Sequence, residues 1–317
     1  MKICTLTLNP ALDKSTSVDK LVAEQKLRCK AMHLNAGGGG INVSKGIQRL
    51  GGTSTAVFPV GGHNGQTIVS LLQQMSVETS VVEVDQETRE NISVTELSTN
   101  SQYRFTMPGA HVSINEADKC LEIIEKIKPE YLVASGSLAT GLPSNYYEKV
   151  AAFAKKNGSK LILDTSGEAL LAAADEGLYL LKPNLAELSA LVGVDKLEMQ
   201  EVDDAALEII RLGKCEIVVV SMGPQGALLV TKDLVHHIPA PQVKKVSTVG
   251  AGDSMVAGMV WALSEGKPML EMAQMGVACG SAATLNEGTE LFHTNDVYRL
   301  LKWIQQYGER FNINFTQ

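Results

Sequence analysis

Short apolar runs alternate with amphipathic stretches along most of this chain, and that rhythm restricts its fold more than any single residue does. Strands bounded by turn residues are predicted at Ile3–Leu8, Ser54–Val60, Tyr131–Ser135, Lys160–Asp164, Leu178–Leu181 and Ile217–Ser221. Helical spacing is predicted between them, over Asn42–Leu50, Gln66–Gln74, Glu116–Lys128, Ser144–Asn157, Leu185–Val192 and Asp203–Leu212. Alternation of this kind builds βαβ units, hence an α/β fold with a central, mostly parallel sheet flanked by helices. The run Ile217-Val218-Val219-Val220 is apolar at every position, as suits a strand buried between two helical layers. The last third turns helical, over Ala251–Ser264, Pro268–Leu285 and Asn295–Tyr307.

Two segments break the rhythm. Residues 15–34 carry no helical stripe, and 91–106 alternate on both sides of a Ser-Thr-Asn-Ser turn, which predicts a hairpin. Together they predict a small discontinuous β sheet, 15–34 with 88–107, standing off a main domain of 1–14, 35–87 and 108–317. A small sheet with one apolar face needs a cover, either the ligand cleft or a second copy of the chain. A homodimer through this sheet is therefore expected.

Composition excludes several classes. A formal net charge of −7 argues against nucleic acid, whose phosphates call for basic surfaces. No apolar run approaches the ~20 residues that span a bilayer, and the opening Met1–Pro10 meets a polar turn too soon for a leader, so a cytoplasmic protein is expected. The five cysteines (4, 29, 120, 215 and 279) are scattered without a Cys-x-x-Cys, and are read as small buried hydrophobes. The six histidines show no metal spacing.

Four motifs carry chemistry. Ser247-Thr248-Val249-Gly250-Ala251-Gly252-Asp253-Ser254 runs directly into an apolar helix, and glycines at a helix start leave free N–H groups where the dipole favours an anion. Asp253 in that turn is either a base that takes a proton from a neutral hydroxyl or a cap of its own helix. Gly37-Gly38-Gly39-Gly40-Ile41-Asn42 leads into an apolar helix, which a flexible linker would not do, and suggests close backbone approach to a polyhydroxyl or phosphorylated ligand. Neither is a Walker loop or a dinucleotide fingerprint. In Lys182-Pro183-Asn184-Leu185-Ala186-Glu187 the amide and carboxylate share a helical face, either to hold the water shell of Mg²⁺ or as a capping box. Asp13 follows the first strand, and the cations Lys26, Arg28 and Arg89 lie in the small-sheet segments, where they would suit an anionic substrate.

These residues together resemble the PfkB (ribokinase-like) family of carbohydrate kinases over essentially the whole chain. The Gly37–Asn42 region, the Ser247–Ser254 motif and Asn184-x-x-Glu187 carry the likeness. Thr5–Asp13, Ser135–Leu138, Asp164–Leu170 and Val220–Ala227 narrow it to the phosphosugar kinases. Fructose-1-phosphate and tagatose-6-phosphate kinases typically have lysine where this chain has Gly39. With Lys26–Cys29, Tyr103–Phe105 and Leu285–Thr289, the all-glycine form is similar to the branch that phosphorylates fructose 6-phosphate at its C1 hydroxyl.

The resemblance implies a ribokinase-like three-layer sandwich with a β-sheet lid, using ATP, Mg²⁺ and a monovalent cation such as K⁺. It makes Asp253 the catalytic base, with the Gly250, Ala251 and Gly252 amides on the transferred phosphoryl group. Asn184 and Glu187 would organise Mg²⁺, and Lys182 would lie near the nucleotide phosphates. Ser221, Gly223, Gly226 and Asn286 would line the nucleotide cleft. Asp13, Gly38, Gly39 and Asn42 would hold the sugar, and Arg28, Arg89 and Ser137 its phosphate. Main-chain oxygens around Ser247, Val249, Ala283, Asn286 and Gly288 would hold the monovalent cation. A sugar-phosphate-binding regulator that has lost the chemistry is a weaker alternative, since the whole set of site residues is retained.

Overall fold

The computed structural model describes residues 1–287 and 290–310. The first strand, β1 (Ile3–Leu6), is followed by two that leave its sheet, β2 (Ala11–Val18) and β3 (His33–Gly37). The chain returns through α1 (Gly39–Arg49), β4 (Thr55–Val60), α2 (Gly62–Gln74) and β5 (Glu78–Glu83), then departs again for β6 (Glu90–Glu96) and β7 (Ser101–Thr106). A regular alternation follows: α3 (Ile114–Ile127), β8 (Tyr131–Ser135), α4 (Tyr146–Lys156), β9 (Lys160–Asp164), α5 (Gly167–Ala174), β10 (Leu178–Leu181), α6 (Leu185–Leu191), α7 (Val202–Arg211) and β11 (Cys215–Ser221). The hairpin strands β12 (Ala227–Thr231) and β13 (Val235–Ile238) precede the final helices α8 (Ala251–Ser264), α9 (Met269–Ala283) and α10 (Thr294–Arg310).

The main sheet runs β13-β12-β11-β10-β9-β8-β1-β4-β5, parallel except for the β11-β12-β13 hairpins. Its side chains alternate between two cores. Val218 and Val220 join Leu132, Leu163 and Leu181 beneath α3 to α7, while Ile217 and Val219 join Val133, Ile162 and Leu180 beneath α1, α8, α9 and α10. That alternation is why β11 has no polar position in its middle.

Strand order reverses beside β1: β4 and β5 extend the sheet one way, β8 onwards the other. In an open α/β sheet, ligands bind outside the carboxyl ends of the strands at such a switch point. Here the exits of β1 and β8 meet the start of α1.

The second sheet, β3-β2-β6-β7, begins earlier than the sequence suggests. β2 starts at Ala11 and β3 ends at Gly37, so Asp13 and Gly37 belong to the small sheet and not to the main domain expected from 1–14 and 35–87. β2 shows no strand period in the sequence because residues 13–17 are polar at every position, and it pairs parallel to β6, a partner nearly 80 residues away. The hairpin forms as expected. One cysteine departs from expectation: Cys29 is exposed in the β2–β3 connection, whereas the other four are buried.

Candidate active site

The site assembles where two glycine-led helices begin. At α1 the N-cap is Gly38, which has no side chain to satisfy the first-turn amides. Thr7, from the exit of β1, does so instead, its Oγ1 accepting from the Ile41 amide at 2.9 Å. The Gly39 and Gly40 amides precede any intrahelical acceptor and remain for other partners.

No side chain fits at Gly39. A Cβ there would lie 2.2 Å from Ser135 Oγ and 2.7 Å from the Gly136 amide nitrogen. At Gly37 it would lie 2.1 Å from Asp13 Oδ2. The run of glycines thus lets β3, α1 and the β8 exit close on one another.

On the same face of the sheet as α1, α8 is preceded by its N-cap Gly250, in the left-handed region at φ 71°, and Asp253 lies in its first turn. The N-cap, Gly250, has no side chain with which to cap the helix. The Asp253 carboxylate turns instead to α1, its Oδ2 accepting from Asn42 Nδ2 at 2.9 Å, with Ser135 Oγ at 3.5 Å from Oδ1. Burial pushes its pKa up to about 6, and the nearby Asp164 charge adds to the rise; Asn42, Lys182 and Lys45 oppose it.

Asp164 and Lys182, from the ends of β9 and β10, pair at 3.1 Å. Burial alone would lower the Lys182 ammonium, but Asp164 overrides this and holds it above the ordinary lysine value. A Cβ on Gly252 would sit 3.5 Å from Lys182 Nζ, so the opening of α8 faces this pair.

Asn184 and Glu187 make the capping box reciprocally, each main-chain amide donating to the other's side chain at 2.9 Å. The box occupies one oxygen of Glu187, which leaves its second for water. Burial raises the Glu187 pKa. No group of three His, Cys, Asp or Glu poised to hold a metal occurs among the described residues. That donor set fits Mg²⁺, which keeps several waters and takes one or two carboxylates alongside phosphates.

Beside Lys182, the Ser221 amide donates to the Pro183 carbonyl at 2.8 Å, and the 223–225 turn follows. A Cβ on Gly226 (φ 95°) would strike the Ile238 carbonyl oxygen at 1.9 Å. Asn286 spends its amide on the Ala282 and Leu291 carbonyls, pinning the exit of α9. The Val246 and Ser247 amides both point to the Thr284 carbonyl, which draws Ser247 and Val249 towards Ala283 and Asn286. Gly288, expected here, lies outside the described residues.

Beside the small sheet, Asp13 accepts from Asn91 at 2.9 Å and its pKa is raised by burial. Arg89 donates to the Asn9 and Met107 carbonyls, and Asn9 reaches Ser137 at 3.0 Å. Arg89 Nε is buried without a hydrogen-bond partner among the described residues, a donor suited to an anion. Arg28 stands apart, exposed in the β2–β3 connection, with no hydrogen bond or ion pair to this cluster.

Sequence reasoning missed Thr7, Lys45 and Asp164 as site residues. Asp164 had a readable signal, a carboxylate at a strand exit. Thr7 and Lys45 had none, because each acts on a partner set by tertiary packing.

Comparison with known proteins agrees with this geometry. The pfkB family carbohydrate kinase profile matches residues 7–295. The chain is 44% identical over 308 residues to ATP-dependent 6-phosphofructokinase isozyme 2 of Escherichia coli K12, covering 96% of this chain and 100% of that one. It is 35% identical to the 1-phosphofructokinase of Bacillus subtilis 168, covering 92% and 95%. The crystal structure of E. coli phosphofructokinase-2 in complex with potassium superposes with a TM-score of 0.92 at 44% identity, covering 96% of this chain and 99% of that one.

Proposed function

The chain belongs to the pfkB family of carbohydrate kinases, and on that premise we propose that it transfers the γ-phosphoryl group of ATP to the C1 hydroxyl of fructose 6-phosphate, giving fructose 1,6-bisphosphate and ADP. One observation carries the reading: the sugar-side glycine helix and the phosphate-side glycine helix converge on a single carboxylate, Asp253, whose pKa of about 6 suits a base at neutral pH.

A loose phosphoryl transition state asks for positioning and charge neutralisation more than covalent chemistry. Asp253 accepts the C1 proton. The amides at Gly250–Gly252 face the transferred group, where their partial positive charge opposes its negative charge. Lys182, neutralised by Asp164 at rest, supplies a buried cation beside the nucleotide phosphates. Asn184 and Glu187 would hold Mg²⁺ through water, and the ion would supply charge neutralisation for the phosphates. Ser221, Gly223 and Gly226 form the nucleotide wall. Asp13, Gly38, Gly39 and Asn42 bind sugar hydroxyls, while Arg89 and Ser137, with Arg28 from the lid, bind the phosphate. Main-chain oxygens near Ser247, Val249, Ala283 and Asn286 form an uncharged donor set of the kind that suits K⁺, the ion in the E. coli structure.

The small sheet acts as the lid. Asp13 and Asn91 share its cleft face, and Leu34, Ile92, Val94, Tyr103 and Phe105 its other face. The root of that second face packs on α2 through Leu12 and Ala36, yet Tyr103 and Phe105 remain 42% and 51% exposed. A second copy of the chain would cover them, making the lid a dimer interface, and sedimentation would show it.

A 1-phosphofructokinase reading is disfavoured at Gly39. That branch typically has lysine at this position, and the chain is 35% identical to the 1-phosphofructokinase of Bacillus subtilis against 44% to the 6-phosphofructokinase isozyme 2 of Escherichia coli. An ADP-release assay with Mg-ATP against fructose 6-phosphate, fructose 1-phosphate and tagatose 6-phosphate, with and without K⁺, decides it. Highest kcat/KM with fructose 6-phosphate is expected; preference for fructose 1-phosphate would overturn the substrate assignment.

A further inference from the structure

Lys45 is a buried charge that the chemistry above leaves unused. It lies nearly two turns into α1, 2% exposed, and its Nζ donates to the Ala36 carbonyl at 2.8 Å and to Asn42 Oδ1 at 3.2 Å. An ammonium can only donate, whereas an amide has one accepting and one donating end. Lys45 therefore turns the Asn42 oxygen towards itself and the Asn42 NH₂ towards Asp253. Without it, nothing at that end distinguishes the two orientations, and a flipped amide would set oxygen against the carboxylate.

Stability alone gives no reason for this lysine. Desolvating an ammonium costs several kcal/mol, and an apolar side chain would fill the space at less expense. Burial, with repulsion from Arg49, pushes its pKa down to about 8, while Asp13 and Asp253 act in the opposite sense.

We propose that Lys45 is a positioning residue for phosphoryl transfer. Acting through Asn42, it holds the Asp253 carboxylate in the orientation that receives the substrate proton, and its bond to Ala36 ties the end of β3 to the same helical turn. The inference rests on the reading of Asp253 as the base. The charged and polar groups facing Asp253 are Asp164 from β9, Lys182 from β10, Ser135 from β8, and Asn42 and Lys45 from α1. Those facing Lys45 are Asn42 and Arg49 on its own helix, Asp13 from β2 and Asp253 from α8.

The test measures kcat and both KM values across pH for the wild type, K45M, K45R, N42A and the N42A/K45M double variant, with circular dichroism and ATP binding to show that each is folded. K45Q replaces K45M if the latter does not fold. Wild-type turnover of fructose 6-phosphate lost in D253N is required first; its absence defeats the parent reading and not this one alone. Given that, K45M should lose about tenfold to a hundredfold in kcat with KM for Mg-ATP changed by less than about twofold. Its acidic limb should move to higher pH, because Asp253 loses a directed hydrogen bond and a neighbouring positive charge. K45R should restore most of the rate. N42A/K45M should be no slower than N42A by more than about twofold, since both act through one bond. Unchanged kcat in K45M, or fully additive losses in the double variant, would overturn the proposal.

Discussion

The starts of α1 and α8 look alike in sequence, each a cluster of glycines running into an apolar helix, yet the missing side chains do opposite things. At α1 the space is filled by protein. A Cβ would meet Asp13 at Gly37, Ser135 at Gly39 and the Leu6 carbonyl, 2.7 Å away, at Gly40. At Gly252 in α8 it would meet Lys182 Nζ at 3.5 Å and Asp164 Oδ2 at 3.9 Å, ordinary contact distances, whereas at Gly250 it would strike Leu291 Cδ2 at 2.8 Å. The first cluster lets the protein close on itself; in the second, Gly250 is packed against Leu291 while Gly252 keeps a space open beside Lys182 and Asp164. Glycine content alone therefore does not locate a ligand; what a side chain would strike does.

That difference can be broken experimentally. Gly252→Ala should fold with an unchanged Tm, since its new methyl finds room, but lose about 100-fold in kcat because the methyl occupies the phosphoryl space. Gly39→Ala should show the reverse emphasis. The methyl must displace Ser135 and backbone, so overpacking of about 1–3 kcal/mol lowers Tm by several degrees, with a smaller loss in kcat. Equal effects of the two substitutions on Tm would erase the distinction. The smallest effect is expected at Glu187→Gln, where the amide oxygen can still serve the capping box: Tm should hold, and the Mg²⁺ concentration for half-activation should rise about tenfold.

The pH dependence follows from Asp253. Its folded pKa, about 6, lies above the ordinary carboxylate value of 3.8. The native state therefore binds the proton more tightly than the unfolded chain, and this group's contribution to stability falls as pH rises between those two values. Under the proposal that Asp253 is the base, activity runs the other way, because that base must be ionised: kcat should decline below about pH 6. A rate that stays flat down to pH 5 would separate catalysis from this carboxylate.

Much of the molecule was legible in its sequence. The inner main-sheet strands are largely apolar runs, and Gly37–Gly40, Asn42, Asn184, Glu187 and Asp253 sit in contiguous motifs whose local chemistry is readable. Other parts were not. β5 is an edge strand with glutamate at both ends, and α5 is a short, alanine-rich turn of helix, so neither shows a clear period. Whether Asp253 caps its helix or serves a ligand depends on Asn42, 211 residues earlier in the chain. The roles of Thr7 and Lys45 likewise depend on residues brought together only by packing. Local pattern gives the parts, and the non-local hydrogen bonds decide between their alternative uses.

The central claim is that both glycine-led helices serve one base. Asp253→Asn tests it most directly, because the asparagine keeps the shape and can still accept from Asn42 but cannot take a proton. The account predicts that kcat with fructose 6-phosphate falls by about 10²–10⁴-fold while sugar and nucleotide still bind in calorimetry. Near-normal kcat in that variant would contradict it.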